Sequence, residues 1–387
     1  MTAYRFLEPL DVLFLRGNKL FGDPGSYGES LVPPWPSVAA GALRSRILAD
    51  DEIDLTAFAR GQARHPELGT PRQPGSFTVT GFHLARRFAD GHCEVLMPLP
   101  ADLVVSEAHE VSALKPVDLT QKRLLSSAAL PCVPLLAETT RSKPASGYWL
   151  NGTGWCQYCA GQAITPDGLT PTSELWSIDP RVGVGLNADT RSVAEGRLFT
   201  VQAVALKKRE QTGADIGFVV MATGARLPET GLLRLGGDGR AVSLQVVDDI
   251  GLPTLNHAAI TQSRRCRLVL TTPGIFSTER QGWLPEGMSR TEDGSYRFAL
   301  HGVTGRLVAA AIPRAEVISG WDLAQWRPKP AVKAVPAGSV YWLDELEASP
   351  EALSALVENG LWANPDTHDT RRAEGYNRLM LTPWHSA

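Results

Sequence analysis

Apolar residues dominate "YRFLEPLDVLFLR" (residues 4–16), a pattern that predicts a first strand interrupted by Pro9. In "SVAAGALRSRIL" (37–48) the apolar Ala39, Leu43 and Ile47 recur every four residues, which predicts a helix, with Ser37 in position to cap it. "FTVTGFHLARRF" (77–88) and "CEVLMPLPADLVV" (93–105) then read as two strands joined by the turn Ala89-Asp90-Gly91. Strand, helix and hairpin in that order open the βαββαβ, ferredoxin-like plan of α+β proteins.

The pattern fades between about residues 111 and 177 into Pro, Ser, Thr and Gly, as expected of an irregular insertion. It returns in "LFTVQAVAL", "IGFVVMAT", "LLRLGGDGRAVSLQVV" and "CRLVLTTPGIF", a second strand-rich run. "GSVYWLDEL" adds another strand, and "SPEALSALVENGL" (349–361) reads as a capped late helix. No repeat of 20 to 50 residues is evident, although a diverged second copy of the first plan would escape that test.

Composition narrows the function classes. The 387 residues allow two domains. Lys and Arg number 38 against 41 Asp and Glu, a net charge of −3, which argues against a free-standing, non-specific nucleic-acid binder. A local anion site made of backbone amides and a few arginines remains open. No apolar run approaches a membrane span and no signal pattern follows Met1, so a cytoplasmic protein is expected. The five cysteines are irregularly spaced, as expected of reduced thiols.

No nucleophile elbow, zinc-protease or phosphate-loop motif occurs, and none of the eight histidines has a spacing with mechanical meaning. Cys156-Gln-Tyr-Cys159 lacks a second ligand pair and reads as two thiols in a turn, although Cys132 or His109 could complete a zinc site. Neither a catalytic residue nor a cofactor is nominated.

Glycine-rich segments carry more information. "RVGVGLNADTRSVAEGR" (181–197) has glycines bracketing a polar tip, as in a long projecting hairpin, and offers Arg181, Thr190, Arg191 and Arg197 to an anion. "LRLGGDGR" (233–240) sets Gly236, Gly237 and Gly239 between arginines, so that backbone N–H groups can converge on an anion. In the first loop, Arg16 and Lys19 precede the N-terminus of the first helix, with Phe21, Tyr27 and Trp35 as stacking surfaces. Arg44 and Arg46 lie about 200° apart around the helix axis, so at most one of them points back to the loop. Backbone clamps beside aromatic planes suit single-stranded RNA.

In order, "EPLDVLFLRGNKLFG", "PPWPSVAAGALRSRIL", "GLLRLGGDGRAV", "SGWDL", "KPAVKAVPAGSVYWL" and "GYNRLMLTPW" resemble the third-subunit family of type III-B (Cmr) CRISPR effectors, within the RAMP superfamily. The resemblance runs from Phe6 to Trp384, with little contribution from 111–177. It implies tandem ferredoxin-like (RRM-like) domains with long loop insertions, here expected at about 1–195 and 196–387, and a hairpin at about 181–197. It also implies binding without catalysis. The family grips the 5′ repeat-derived tag of the CRISPR RNA and docks on the large polymerase-like subunit, beside RAMP backbone subunits, with target RNA met indirectly.

The tag-facing residues so implied are Arg16, Lys19, Phe21, Ser37, Arg44, Gly236, Gly237 and Arg240, together with Gly375, Tyr376, Asn377 and Arg378. The single glycine of "EGYNR" departs from the richer loop usual in RAMP proteins. A repeat-processing RAMP endoribonuclease, which would need a base such as His65 or His83 near the first loop, and a purely architectural subunit are the alternatives.

Overall fold

The computed structural model describes residues 2–17, 26–119, 121, 127–137, 143–187, 189–322, 324–364 and 369–384. The first part runs β1 (Ala3–Pro9), α1 (Pro36–Asp50), β2 (Thr78–Phe88), β3 (Cys93–Pro98), β4 (Tyr148–Leu150), α2 (Gly152–Ala160), β5 (Leu169–Pro171), β6 (Trp176–Leu186), β7 (Val193–Leu206), β8 (Ala214–Thr223), β9 (Thr230–Arg234) and β10 (Ala241–Val246). The second runs α3 (His257–Ser263), β11 (Cys266–Leu270), β12 (Met288–Arg290), β13 (Tyr296–Leu300), β14 (Val303–Ala311), β15 (Val340–Glu347), α4 (Pro350–Asn359), α5 (Thr370–Ala373) and β16 (Leu379–Pro383).

Two antiparallel sheets organise the chain, an eight-stranded one in the order β5-β4-β3-β2-β8-β1-β10-β9 and a six-stranded one in the order β12-β13-β14-β15-β11-β16. The fold is α+β. In the first sheet β1 lies between β8 and β10, with β2 beyond β8. In the second, β11 lies between β15 and β16, with β14 beyond β15. Both sheets therefore share one four-strand order. In the first, α1 connects β1 to β2; in the second, α4 lies between β15 and β16.

This corrects the predicted hairpin in one respect. β3 pairs with the outer side of β2, and the strand between β1 and β2 is β8, more than a hundred residues later. Leu103–Ser106 leaves the sheet altogether and pairs with Val111–Ala113 and Pro144–Ala145. The stretch 111–177 is not wholly irregular, since β4 and β5 extend the first sheet and α2 packs near its end. Strands as late as β10 belong to the first sheet, so that sheet does not stop near residue 195.

Side chains alternate along each strand and sort themselves into layers. Leu7 joins a core with Ala39, Leu43 and Ile47 of α1, while the adjacent Phe6 joins Val269, Val308 and Trp342 between the sheets. Leu268 and Leu270 turn outward to Leu353 and Leu356 of α4. The order of layers is helix, sheet, sheet, helix.

The predicted late helix begins as expected, with the Ser349 side chain accepting from Ala352 N. The first helix begins at Pro36 with Trp35 as its N-cap, and no side chain caps it. Proline suits that first position because its fixed φ is helical and its missing N–H has no partner there in any case. Ser37 is therefore not the cap.

Candidate nucleic-acid interface

The chain after β1 and the turn after β9 close on one another. Phe14 O accepts from Gly237 N at 2.8 Å. At Gly236 φ is +77°, and a Cβ there would stand 2.8 Å from Phe14 O, so only glycine allows this approach. Arg16 Nη2 donates to Asp238 Oδ1 at 3.1 Å. The Arg240 guanidinium lies over the Phe14 ring, 4.9 Å from its centre, and donates to Asp11 at 2.9 Å. Arg16, Gly236, Gly237 and Arg240 are thus brought to one exposed corner. Asp11 and Asp238 there offset the two arginines.

Leu13 exchanges backbone hydrogen bonds of 2.9 and 2.8 Å with Val204, so the β6–β7 hairpin springs from the same corner. The backbone of Ser26–Gly28 pairs in parallel with Phe199–Val201 on β7. Lys19 and Phe21 lie outside the described residues, as does the side chain of Tyr27.

The hairpin is longer than 181–197, pairing from Trp176↔Leu206 to Leu186↔Val193. Its tip folds on Asn187, whose side chain accepts from Asp189 N and Thr190 N. Thr190 Oγ1 lies 2.7 Å from Ser192 Oγ, and Arg191 adopts φ +54°. On one face, Val182, Val184, Leu186, Val193 and Leu198 are exposed, Val182 by 69%. The other face carries Arg181, hydrogen-bonded to Asp179 at 2.9 Å, and Arg197 packed across Gly185. One ribbon thereby separates an apolar side from a basic one.

The helix and C-terminal candidates lie elsewhere. Ser37 Oγ meets the Tyr376 hydroxyl at 3.1 Å, and Tyr376 and Asn377 are fully buried. Asn377 donates from Nδ2 to Ile275 O and Leu361 O and accepts from Ile275 N. Arg378 donates to Glu358 O and Val79 O, and burial lowers its pKa to about 10. Gly375 packs directly on Val79. This segment locks α1 to the second sheet and offers no open clamp.

Arg44 lies over Phe77 and is lowered by burial, with Glu374 opposing. Arg46 is bound to Leu232 O and Asp50. Trp35 is buried with its Nε1 donating to Glu316. Neither helix arginine joins the corner at Arg16.

His65 is fully committed. Its Nδ1 accepts from Glu67 N and Leu68 N, which leaves Nε2 to donate to Asp51 at 2.7 Å. His83 is buried on β2, and burial lowers it to about 4. Among the described residues, no three of His, Cys, Asp and Glu are grouped to hold a metal ion. Cys156 and Cys159 lie on α2, not in a turn, and Cys159 faces Met380.

A buried charge network was missed from the sequence. Arg267 of β11 donates to Asp102, to Tyr158 O and to Thr382, and the Tyr158 hydroxyl donates to Asp102. Burial drives the Asp102 carboxyl up, while Arg267 pulls it back. The only cue is one arginine inside the apolar run "CRLVL".

No helix among the described residues is long and apolar enough to cross a membrane. No curated protein matches the chain. Among solved structures, a chain of the type III-B Cmr-β complex bound to cognate target RNA and AMPPnP matches at 14% identity and a TM-score of 0.46, covering 88% of this chain and 86% of that one. A chain of the Cmr-β complex bound to cognate target RNA matches at 15% identity and a TM-score of 0.48, over 97% and 96%. The model of the CRISPR-associated protein family Cas_Cmr3 matches residues 5–384, and with nearly the whole chain inside it, this protein belongs to that family of type III-B effector subunits.

Proposed function

We propose that this chain is a non-catalytic subunit of a type III-B CRISPR effector that holds the 5′ repeat-derived tag of the guide RNA and docks on the large polymerase-like subunit. One observation carries the reading: the first loop, the glycine turn at 236–239 and the root of the hairpin meet at the exposed corner of Arg16 and Arg240. Arginines on a glycine-rich corner hold phosphates in register without reading sequence. Guide–target pairing then does the reading.

The four-strand order common to both sheets supports tandem ferredoxin-like domains, and we place their junction between β10 and α3. The tag-facing set is the corner together with the basic face of the hairpin. Ser37, Arg44 and 375–378 fall outside this set, Ser37 meeting Tyr376 at the joint between α1 and the second sheet. RAMP backbone subunits are its neighbours, and target RNA is met across the guide. His65 and His83, both buried and His65 engaged at both ring nitrogens, favour binding over cleavage.

Ultraviolet crosslinking of the assembled complex, followed by peptide mapping, tests this. Crosslinks are expected in 11–17, 181–197 and 233–240; their absence would make the subunit purely architectural. Metal-independent cleavage of repeat RNA by the purified chain would establish the endoribonuclease instead.

A further inference from the structure

We infer a second RNA contact on a small ribbon of the second domain, where Trp321 and Trp326 form an exposed platform that stacks an unpaired base. This rests on the proposed guide-RNA function and extends it to residues outside the corner at Arg16.

The ribbon is made of two short pairings. Glu316–Ile318 pairs with Val332–Ala334, and beyond it Trp321–Asp322 pairs with Arg327–Pro328. Its base is well anchored: Ile318 and Ala334 are buried with Trp35 and Tyr376, and Glu316 accepts from Trp35 Nε1 at 3.2 Å. Lys329 is tied to the buried Glu374. The same anchor, through Leu31 and Trp35, holds the end of the first loop.

The outer end is unlike the rest of the surface. Trp326 is 74% exposed and Trp321 44%, and their rings meet edge to face with centres 6.1 Å apart. Trp326 adopts φ +52°, a conformation costly for a bulky side chain. Leaving a tryptophan in water forgoes a large burial free energy, which an occupant of this face would recover.

Charge selects that occupant. The segment 313–334 holds four cations, Arg314, Arg327, Lys329 and Lys333, against two acids, in a chain whose net charge is −3. Glu316 is turned inward to Trp35, and Lys329 is neutralised by Glu374. Arg314, Arg327 and Lys333 are exposed, Arg327 on the strand that pairs with Trp321–Asp322 and Lys333 nearer the base, opposite Val317. Aromatic planes on a cation-bearing ribbon fit single-stranded RNA, whose bases stack on the rings and whose phosphates meet the cations. An apolar protein surface would bring no charge to match them.

The test uses the full chain assembled with its partner subunits and guide RNA, plus a fluorescein-labelled single-stranded RNA octamer as a free probe. Trp326→Ala should weaken probe binding about ten- to a hundredfold, and Trp326→Phe should restore most of it. Arg327→Ala with Lys333→Ala should reduce the slope of log affinity against log salt by one to two. Guide photocrosslinks bearing 4-thiouridine should map to 319–329. Unchanged RNA binding by Trp326→Ala, with crosslinks intact at 11–17 and 233–240, overturns the platform and leaves the proposed function standing. No RNA binding by the wild-type complex overturns both. Loss of subunit assembly in Trp326→Ala without RNA would assign the face to protein and also overturn the platform.

Discussion

Ser37 Oγ lies 3.1 Å from the Tyr376 hydroxyl, joining the first turn of α1 to a segment 339 residues later. The pair sits where the helix layer of the first sheet reaches the second sheet's C-terminal segment. Because Tyr376 is fully buried, its hydroxyl has no water to replace Ser37. Tyr376→Phe should therefore cost about 1 kcal/mol of stability, read as a lower melting temperature, with RNA affinity per folded molecule unchanged. A selective loss of RNA binding at full stability would return Tyr376 to the interface.

His83 supplies a pH signature. Its folded-state pKa of about 4 lies below the ordinary 6.5, because burial disfavours the imidazolium. The unfolded chain therefore binds the extra proton first, and stability falls as pH drops from about 6.5 toward 4, by on the order of 3 kcal/mol in all. Above pH 6.5 this group contributes no slope. His83→Gln should flatten that limb in denaturant titrations taken from pH 4 to 7, and an identical limb in the variant would assign the slope to other groups.

Arg267→Ala should destabilise the fold by about 3–5 kcal/mol, because Asp102 would be left buried without its cation. Replacing both, Arg267→Met with Asp102→Leu, should recover most of the loss. Equal destabilisation by single and double variants in urea unfolding would show that Tyr158 and Thr382, not the charge pair, hold this joint.

At the corner, Arg16→Ala should weaken guide loading and lower its salt slope by about one. Asp238→Asn should strengthen loading, since Asp238 competes with phosphate for Arg16. Arg46→Ala should leave loading unchanged and cost only stability, because that side chain serves Leu232 O and Asp50. Filter binding across a salt series separates the three, and matching defects in Arg16→Ala and Arg46→Ala would refute the placement of the corner.

The apolar face of the hairpin predicts a division of labour. Val182→Thr, Val184→Thr and Leu198→Thr together should alter the chain's melting only slightly, as these side chains are already exposed. Incorporation into the assembled complex, measured by co-purification, should fall. Full incorporation would show that this face is not covered by a neighbouring subunit.

Local signals in the sequence reached far. The four-residue spacing of Ala39, Leu43 and Ile47 marked α1, and Ser349 marked the start of α4, because helix periodicity and capping act within a few residues. The glycines at 236, 237 and 239 marked a turn for the same reason, and those at 183 and 185 a hairpin. The ordered motifs carried the family.

Tertiary structure decided which of these meet. Nothing near residue 93 reveals that the strand beside β1 is Ala214–Thr223, since strand pairing is settled by which apolar faces can be buried together. Ser37 looked like a cap and serves Tyr376; "GYNR" looked like an open loop and fills the joint between the sheets. Arg16 and the turn carrying Gly237 and Arg240, more than 200 residues later, form one corner only because β9 and β10 return to the edge beside β1. Local composition chose the elements, and long-range burial chose their partners.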